Sequence, residues 1–338
     1  MLSRVPSHSS YPLYRLAAML LLSLVALLAA CGQGTSTTTS SGSQPSPTPS
    51  PVFDYYGTPV AFPSTAPQRI VSLVPSSSEI LGALNLQSRV VGVDYYTAYP
   101  PALAKLPKVS DVNGKYNLEQ IELLKPDLVL SYGGLTKQYD RQLQSLGLRV
   151  IDLPIANLEH ILSQVLIVGR LTFTQSAAQT LVKQLQQQID AVKKAVTGTT
   201  APRVMLEIDD SAPGKPYVFG GGSYGDELLQ DANGANIFHS DASNGGYPQV
   251  SDESVIAANP QYVILTEDPA YGGNPTLVYK RPNWGSIEAV AMRHVYRINV
   301  NIMQQAGPRL VEGLQCLAQL IHPTSFTGAL PAYCTGTV

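Results

Sequence analysis

The stretch that most limits the fold lies in the middle of the chain. Residues 174 to 197, "TQSAAQTLVKQLQQQIDAVKKAVT", hold no glycine or proline and are rich in strong helix formers. Leu181, Val182, Leu185, Ile189, Val192 and Val196 recur at helical spacing. The segment predicts one helix of roughly 24 residues, about 36 Å long at 1.5 Å per residue. A helix of that length crosses a whole small domain, so it links whatever is built on its two sides.

Both sides carry the same rhythm. Before it, the apolar runs "RIVSLV", "RVVGV", "DLVLSY" and "LRVIDL" alternate with the helical patterns "EILGALNL", "LEQIELLK" and "KQYDRQLQSLG". After it come "PRVMLEI", "YVF", "QYVILTE" and "HVYRIN", interleaved with "GDELLQDA", "ESVIAA" and a closing helix after Pro308. Strand–helix alternation of this kind predicts an α/β class with parallel sheets. Ser76 to Glu79 fits a capping box at the first helix. Gly147 suits a helix C-terminal cap.

The chain also repeats itself. "LEQIELLKPDLVLSYGG" and "DESVIAANPQYVILTED" align on Pro126 and Pro260, and Glu119 and Glu253 each stand seven residues before the proline. One copy on each side of the long helix predicts two similar lobes. The expected divisions are an N-terminal lobe over 67–172, the joining helix within 173–198, a C-terminal lobe over 199–323 and a tail over 324–338.

The N-terminus has a different character. Arg4 and Arg15 precede the apolar run "LAAMLLLSLVALLAA", which ends at Cys31. Charge followed by a short apolar run predicts a secretory signal over residues 1–30. The run is short for a membrane span, which needs roughly 20 residues. Leu28-Ala29-Ala30-Cys31 resembles the lipobox of bacterial lipoproteins, which implies lipidation of Cys31. "GQGTSTTTSSGSQPSPTPSP" follows. It has too little apolar surface to offset its ordering entropy, so a tether is expected over 31–66. The body would then sit outside the cytoplasm, held to the membrane through the lipid alone. Such a compartment permits disulfides, and Cys316 and Cys334 are the cysteines left to pair.

Several functions are disfavoured. The formal net charge is −2 with no basic run, which argues against nucleic acid. His160, His239, His294 and His322 show no ligand spacing, and no CxxC or HExxH occurs, so no metal centre is expected. "GGSYG" at 221–225 fits the G-x-S-x-G nucleophile pattern between a strand and a helix. It raises the alternative of an exported serine hydrolase using Ser223, with His239, His294 or His322 as base. Ser223 and Asp226 also fit a plain helix cap.

Aromatic residues gather at strand ends. Tyr95, Tyr96 and Tyr99 follow one strand, Tyr132 another, Tyr224 opens a helix, and Tyr247 precedes "PQVS". Ligands of open α/β sheets lie beyond the carboxyl ends of strands. Tyrosine offers a flat apolar face and a polar tip. The set predicts a cleft for a large, ring-rich ligand, with Pro100-Pro101 stiffening one wall.

At this point a family resemblance appears. "RIVSLVPSSSEILGALNLQSRVVGVDYYTAYPP", "YNLEQIELLKPDLVLSYGG", "YPQVSDESVIAANPQYVIL" and "AGPRLVEGLQCLAQLIHP" resemble the extracytoplasmic substrate-binding proteins for cobalamin and iron chelates. The resemblance covers about residues 67–323. It implies two Rossmann-like lobes joined by one long rigid helix, with the ligand cleft between them and modest lobe closure. It implies a monomeric, non-enzymatic carrier without cofactor that serves an ABC permease and its cytoplasmic ATPase. Glu119 and Glu253 match the glutamates that dock onto permease arginines. Pro75, Ser76, Tyr96, Tyr99, Tyr132, Tyr224, Tyr247, Met303 and Arg309 become the expected ligand contacts.

Relatives often place tryptophans in the cleft, where this chain has Val112 and Ser131, and its single tryptophan is Trp284. An acidic and a basic contact of some cobalamin binders are here Asn301 and Gln305. A neutral lining suits cobalamin or a related corrinoid, with an iron–siderophore or haem as the alternative. A tethered structural or sensory module is the third possibility.

Overall fold

In the computed structural model, residues 51–134, 136–154, 157–212, 214–269 and 272–336 are described. The signal segment, Cys31 and the first part of the expected tether lie outside the described residues.

Apolar runs of three to five residues become the strands of the N-terminal lobe. These are β1 (Ile70–Ser72), β2 (Val90–Val93), β3 (Leu128–Tyr132) and β4 (Val150–Leu153). They form one parallel sheet in the order β2-β1-β3-β4. The strands are apolar at nearly every position because helices cover both faces. Those helices are α1 (Pro75–Ala83), α2 (Pro101–Ala104), α3 (Leu118–Leu123), α4 (Lys137–Ser145) and α5 (Leu158–Leu171). Parallel pairing puts all four carboxyl ends on one side, so the loops after β1, β2 and β3 share one rim.

The long helix follows as α6 (Gln175–Ala195). It is shorter than the pattern suggested because Thr174 and Val196 stand at its capping positions. Its first turn buries Ala178 in the N-terminal core beside Val168 and Leu171. Further along, Leu185, Ile189, Val192 and Val196 belong to the C-terminal core. A single helix therefore packs in both lobes.

The C-terminal lobe holds β5 (Arg203–Asp209), β6 (Tyr217–Val218), α7 (Tyr224–Asp231), β7 (Ala235–Asn236), the turn-like α8 (Ser243–Gly246), α9 (Asp252–Ala258) and β8 (Tyr262–Leu265). It continues with α10 (Pro275–Val278), α11 (Glu288–Ala291), β9 (Val295–Arg297), α12 (Val300–Met303) and α13 (Leu310–Ile321). The sheet order is β6-β5-β8-β9, with β6 antiparallel and β7 on the start of β5. Cys316 in α13 and Cys334 in the tail form a disulfide, and both are fully buried.

Two expectations need correction. The capping box at Ser76 does not form. The helix starts at Pro75, whose missing N–H suits the first helical position, and Val74 caps it without a side-chain bond. Ser76, Ser77 and Ser78 are therefore inside the helix and buried. The tether also ends earlier than residue 66. Val52, Val60 and Phe62 pack against the N-terminal core, and the Arg170 guanidinium lies 3.7 Å above the Phe62 ring. Aromatic residues in "VFDYYGTPVAF" distinguish this strap from the Ser/Thr/Pro stretch before it.

Candidate ligand-binding cleft

Two adjoining cavities of about 410 and 480 Å³ lie between the lobes. They share Pro75, Ile208, Gln304 and Gln305 as walls. The N-terminal lobe contributes Pro75 and Ser76 from the first turn of α1, Tyr132 and Gly133 from the end of β3, and Tyr96 from the loop after β2. The C-terminal lobe contributes Ile208 at the end of β5, Phe219 after β6, Tyr224 at the start of α7, Tyr247, and Gln304 to Ala306 after α12.

The first cavity is an aromatic chamber. Phe219 is at its base, with ring centres 5.0 Å from Tyr224 and 5.8 Å from Tyr247. Tyr224 and Tyr247 are 6.4 Å apart. Gly225 makes this possible, since a Cβ there would fall 2.3 Å from the Phe219 ring. The Tyr224 hydroxyl donates to the Met303 carbonyl at 2.9 Å. Burial pushes the hydroxyls of Tyr224 and Tyr247 above the ordinary tyrosine value, so both stay neutral.

The second cavity has more polar groups in its lining than the first. Tyr96, Asp209, Glu267, Asp268 and Asn301 line it. Tyr96 is 55% exposed and is held by its backbone, whose N–H donates to the Asp94 carboxylate at 2.8 Å. Its hydroxyl donates to the Val112 carbonyl at 2.5 Å. Asn301 accepts from Gln305 Nε2 at 2.9 Å. Burial, and next the charge of Glu207, push the Glu267 carboxyl up to about 10, so it is a neutral acid at physiological pH.

Six of the nine expected contacts meet in these cavities: Pro75, Ser76, Tyr96, Tyr132, Tyr224 and Tyr247. Three do not. Met303 is fully buried in the C-terminal core and offers only its carbonyl. Arg309 is taken up by Glu79, with Nε at 2.9 Å and Nη2 at 2.6 Å from Oε1. Its guanidinium covers the Tyr99 ring at 3.8 Å, which occupies both residues behind the cleft. Ile208, Phe219, Gln304, Asp209 and Glu267 were not anticipated. The rule that put tyrosines at strand ends applies equally to Ile208, Phe219 and Glu267, each at the end of a strand or just beyond it.

No lysine, arginine or histidine is among the described residues lining the two cavities. Arg281 is bound to both Glu207 oxygens at 2.6 Å and to Asp210 at 2.6 Å. The described lining therefore presents aromatic faces, amides and acids.

Comparison with known proteins agrees with this architecture. The sequence profile described as "Periplasmic binding protein" matches residues 70–301. The chain belongs to the periplasmic binding protein family. It is 31% identical to the uncharacterized ABC transporter substrate-binding lipoprotein YvrC of Bacillus subtilis, over 77% of this chain and 82% of that one. It is 30% identical to the vitamin B12-binding protein of Salmonella paratyphi A, over 73% of this chain and 87% of that one. The fold also matches the periplasmic haem-binding protein RhuT of Roseiflexus, with a TM-score of 0.68, 23% identity, and coverage of 77% of this chain and 99% of that one.

A periplasmic binding protein is not an enzyme, and the arrangement around Ser223 accords with that. Its Oγ accepts from the Asp226 N–H at 3.2 Å and donates to the Gly220 carbonyl at 2.7 Å, as a helix cap. His239 bonds to Asp226 at 2.9 Å, His294 lies 3.3 Å from the Gln261 carbonyl, and His322 lies 3.1 Å from the Asn233 carbonyl. Among the described residues no group of three or more His, Cys, Asp or Glu could hold a metal ion.

The binding-protein repeat is structural as well. Glu119 is the second residue of α3 and Glu253 the second of α9, and both are exposed. Asn117 and Ser251 cap the two helices through their side chains. Hydrogen bonds from its own backbone N–H and from Ser251 hold the Glu253 carboxyl below its ordinary value.

Proposed function

We propose that this periplasmic binding protein captures cobalamin or a related corrinoid between its lobes and delivers it to an ABC permease. One observation carries the ligand assignment: the cleft is walled by Tyr132, Phe219, Tyr224 and Tyr247, and no cationic side chain is among the described residues that line it. A flat, bulky ring system with amide arms meets aromatic faces and acceptors there. Haem propionates and anionic ferric chelates would face the Asp209 carboxylate and find no basic side chain among the described lining residues, an arrangement that like charges disfavour. The likeness to a vitamin B12-binding protein supports the same reading.

Lipidation at Cys31 would keep the monomeric protein on the outer side of the cell membrane. Glu119 and Glu253 would meet permease arginines, one glutamate from each lobe. Packing of α6 into both cores favours modest lobe closure. Reversing both charges, Glu119→Lys with Glu253→Lys, is expected to cut cellular uptake of labelled cyanocobalamin by at least about tenfold, the loss expected for two charge-assisted contacts. The purified protein should bind cyanocobalamin as before. Unchanged uptake with both reversals in place would remove the docking role.

A further inference from the structure

Behind the cleft, one ion pair ties the two walls together. Glu79 belongs to α1 in the N-terminal lobe, one turn after Pro75 and Ser76. Arg309 caps α13 in the C-terminal lobe, shortly after Gln304, Gln305 and Ala306. Their side chains are 2% and 11% exposed and meet at 2.6 Å. The Arg309 backbone N–H also approaches Glu79 Oε2, at 3.4 Å.

The same guanidinium holds two further pieces of wall. Its Nη2 donates to the Asn301 carbonyl at 3.0 Å, and Asn301 lines the second cavity. Its plane covers Tyr99, which shares a loop with Tyr96. Gly307 is what lets the lobes come this close, since a Cβ there would fall 2.4 Å from Glu79 Oε2.

The geometry points to Glu79 and Arg309 as an interlobe latch that positions both walls of the cleft and sets its width. The inference rests on these cavities being the ligand site. Burial raises the Glu79 carboxyl and the Arg309 charge opposes that shift, so the pair is a costly contact unless the partners stay together. Neither residue is a ligand contact. Both act through Ser76, Tyr96, Asn301 and Gln305.

The test uses spin labels at Glu122→Cys and Ala257→Cys, exposed positions of α3 and α9, read by pulsed electron resonance without ligand. The parent protein should give one narrow interlobe distance. Arg309→Met and Gly307→Ala should broaden it. The decisive variant is Glu79→Gln with Arg309→Met. Removing both charges together relieves the unpaired ion, so thermal stability should recover while the distance stays broad. Cyanocobalamin affinity of that double variant should fall about tenfold if a tenth of molecules hold both walls correctly. A narrow, parent-like distance in the double variant would overturn the latch. Broadening in a protein whose parent ignores cyanocobalamin would uphold the latch and reject the ligand.

Discussion

Arg281→Met lowers the stability of the folded protein by about 3–5 kcal/mol, the range for a buried ion pair that loses one partner. Glu207 is fully buried in β5, and Arg281 satisfies both of its oxygens. Asp210 shares the same guanidinium, which also packs 4.5 Å from the Trp284 ring. Without the arginine, Glu207 and Asp210 remain as uncompensated acids beside Glu267. Urea unfolding of the variant against the parent measures the loss. A change below about 1 kcal/mol, the scale of an exposed pair, would contradict this account.

The neighbouring acid provides the opposite control. Glu267 titrates at about 10 in the folded protein against an ordinary 4.5. Its stabilising contribution is fully present below pH 4.5 and is lost as pH rises through about 10. Glu267→Gln imitates the protonated acid permanently. Stability of the variant should therefore decline less than the parent's between neutral and alkaline pH, where the parent loses up to about 1.4 kcal/mol per pH unit.

Replacing Cys316 and Cys334 together by serine lowers stability by about 2–5 kcal/mol, as expected for a native disulfide closing a loop of this size. The bond spans 18 residues. It holds the tail where the Cys334 carbonyl accepts from the Asn299 N–H at 2.7 Å and the Tyr333 carbonyl accepts from Asn299 Nδ2 at 3.3 Å. Asn299 caps α12, the helix that leads into the Gln304–Gln305 wall. Loosening the tail should thus weaken ligand binding as well as stability. Reduction of the parent with dithiothreitol should reproduce both effects. An unfolding midpoint unmoved by the substitutions would show that the buried tail is held without its covalent link.

Local signals carried most of the fold. The period of α6 and the strand–helix alternation are properties of neighbouring residues, so they could be read directly. The paired helices of Glu119 and Glu253 were readable because a duplicated pattern has two copies to compare. Tyr132, Tyr224 and Tyr247 were found by their place at strand and helix ends. What escaped was long-range direction. Nothing within a few residues of Arg309 announces that its partner is Glu79, 230 positions away. Met303 looked like a soft wall residue, yet the first turn after β9 aims it into the core. Ser76 matched a capping pattern, but Pro75 set the helix start two residues earlier. Phe219 was missed because it resembles any core aromatic until Gly225 and Tyr224 are seen around it.

The measurement that reaches the central claim most directly is calorimetric titration of the protein from residue 51 onward. Cyanocobalamin, haem and a panel of ferric siderophores would be compared side by side, with Tyr247→Ala as the control. The account predicts one-to-one binding of cyanocobalamin, weakened by about tenfold or more in the variant through loss of a buried aromatic face, and no comparable heat from haem or the siderophores. Binding of haem or a ferric siderophore with silence from cyanocobalamin would contradict it.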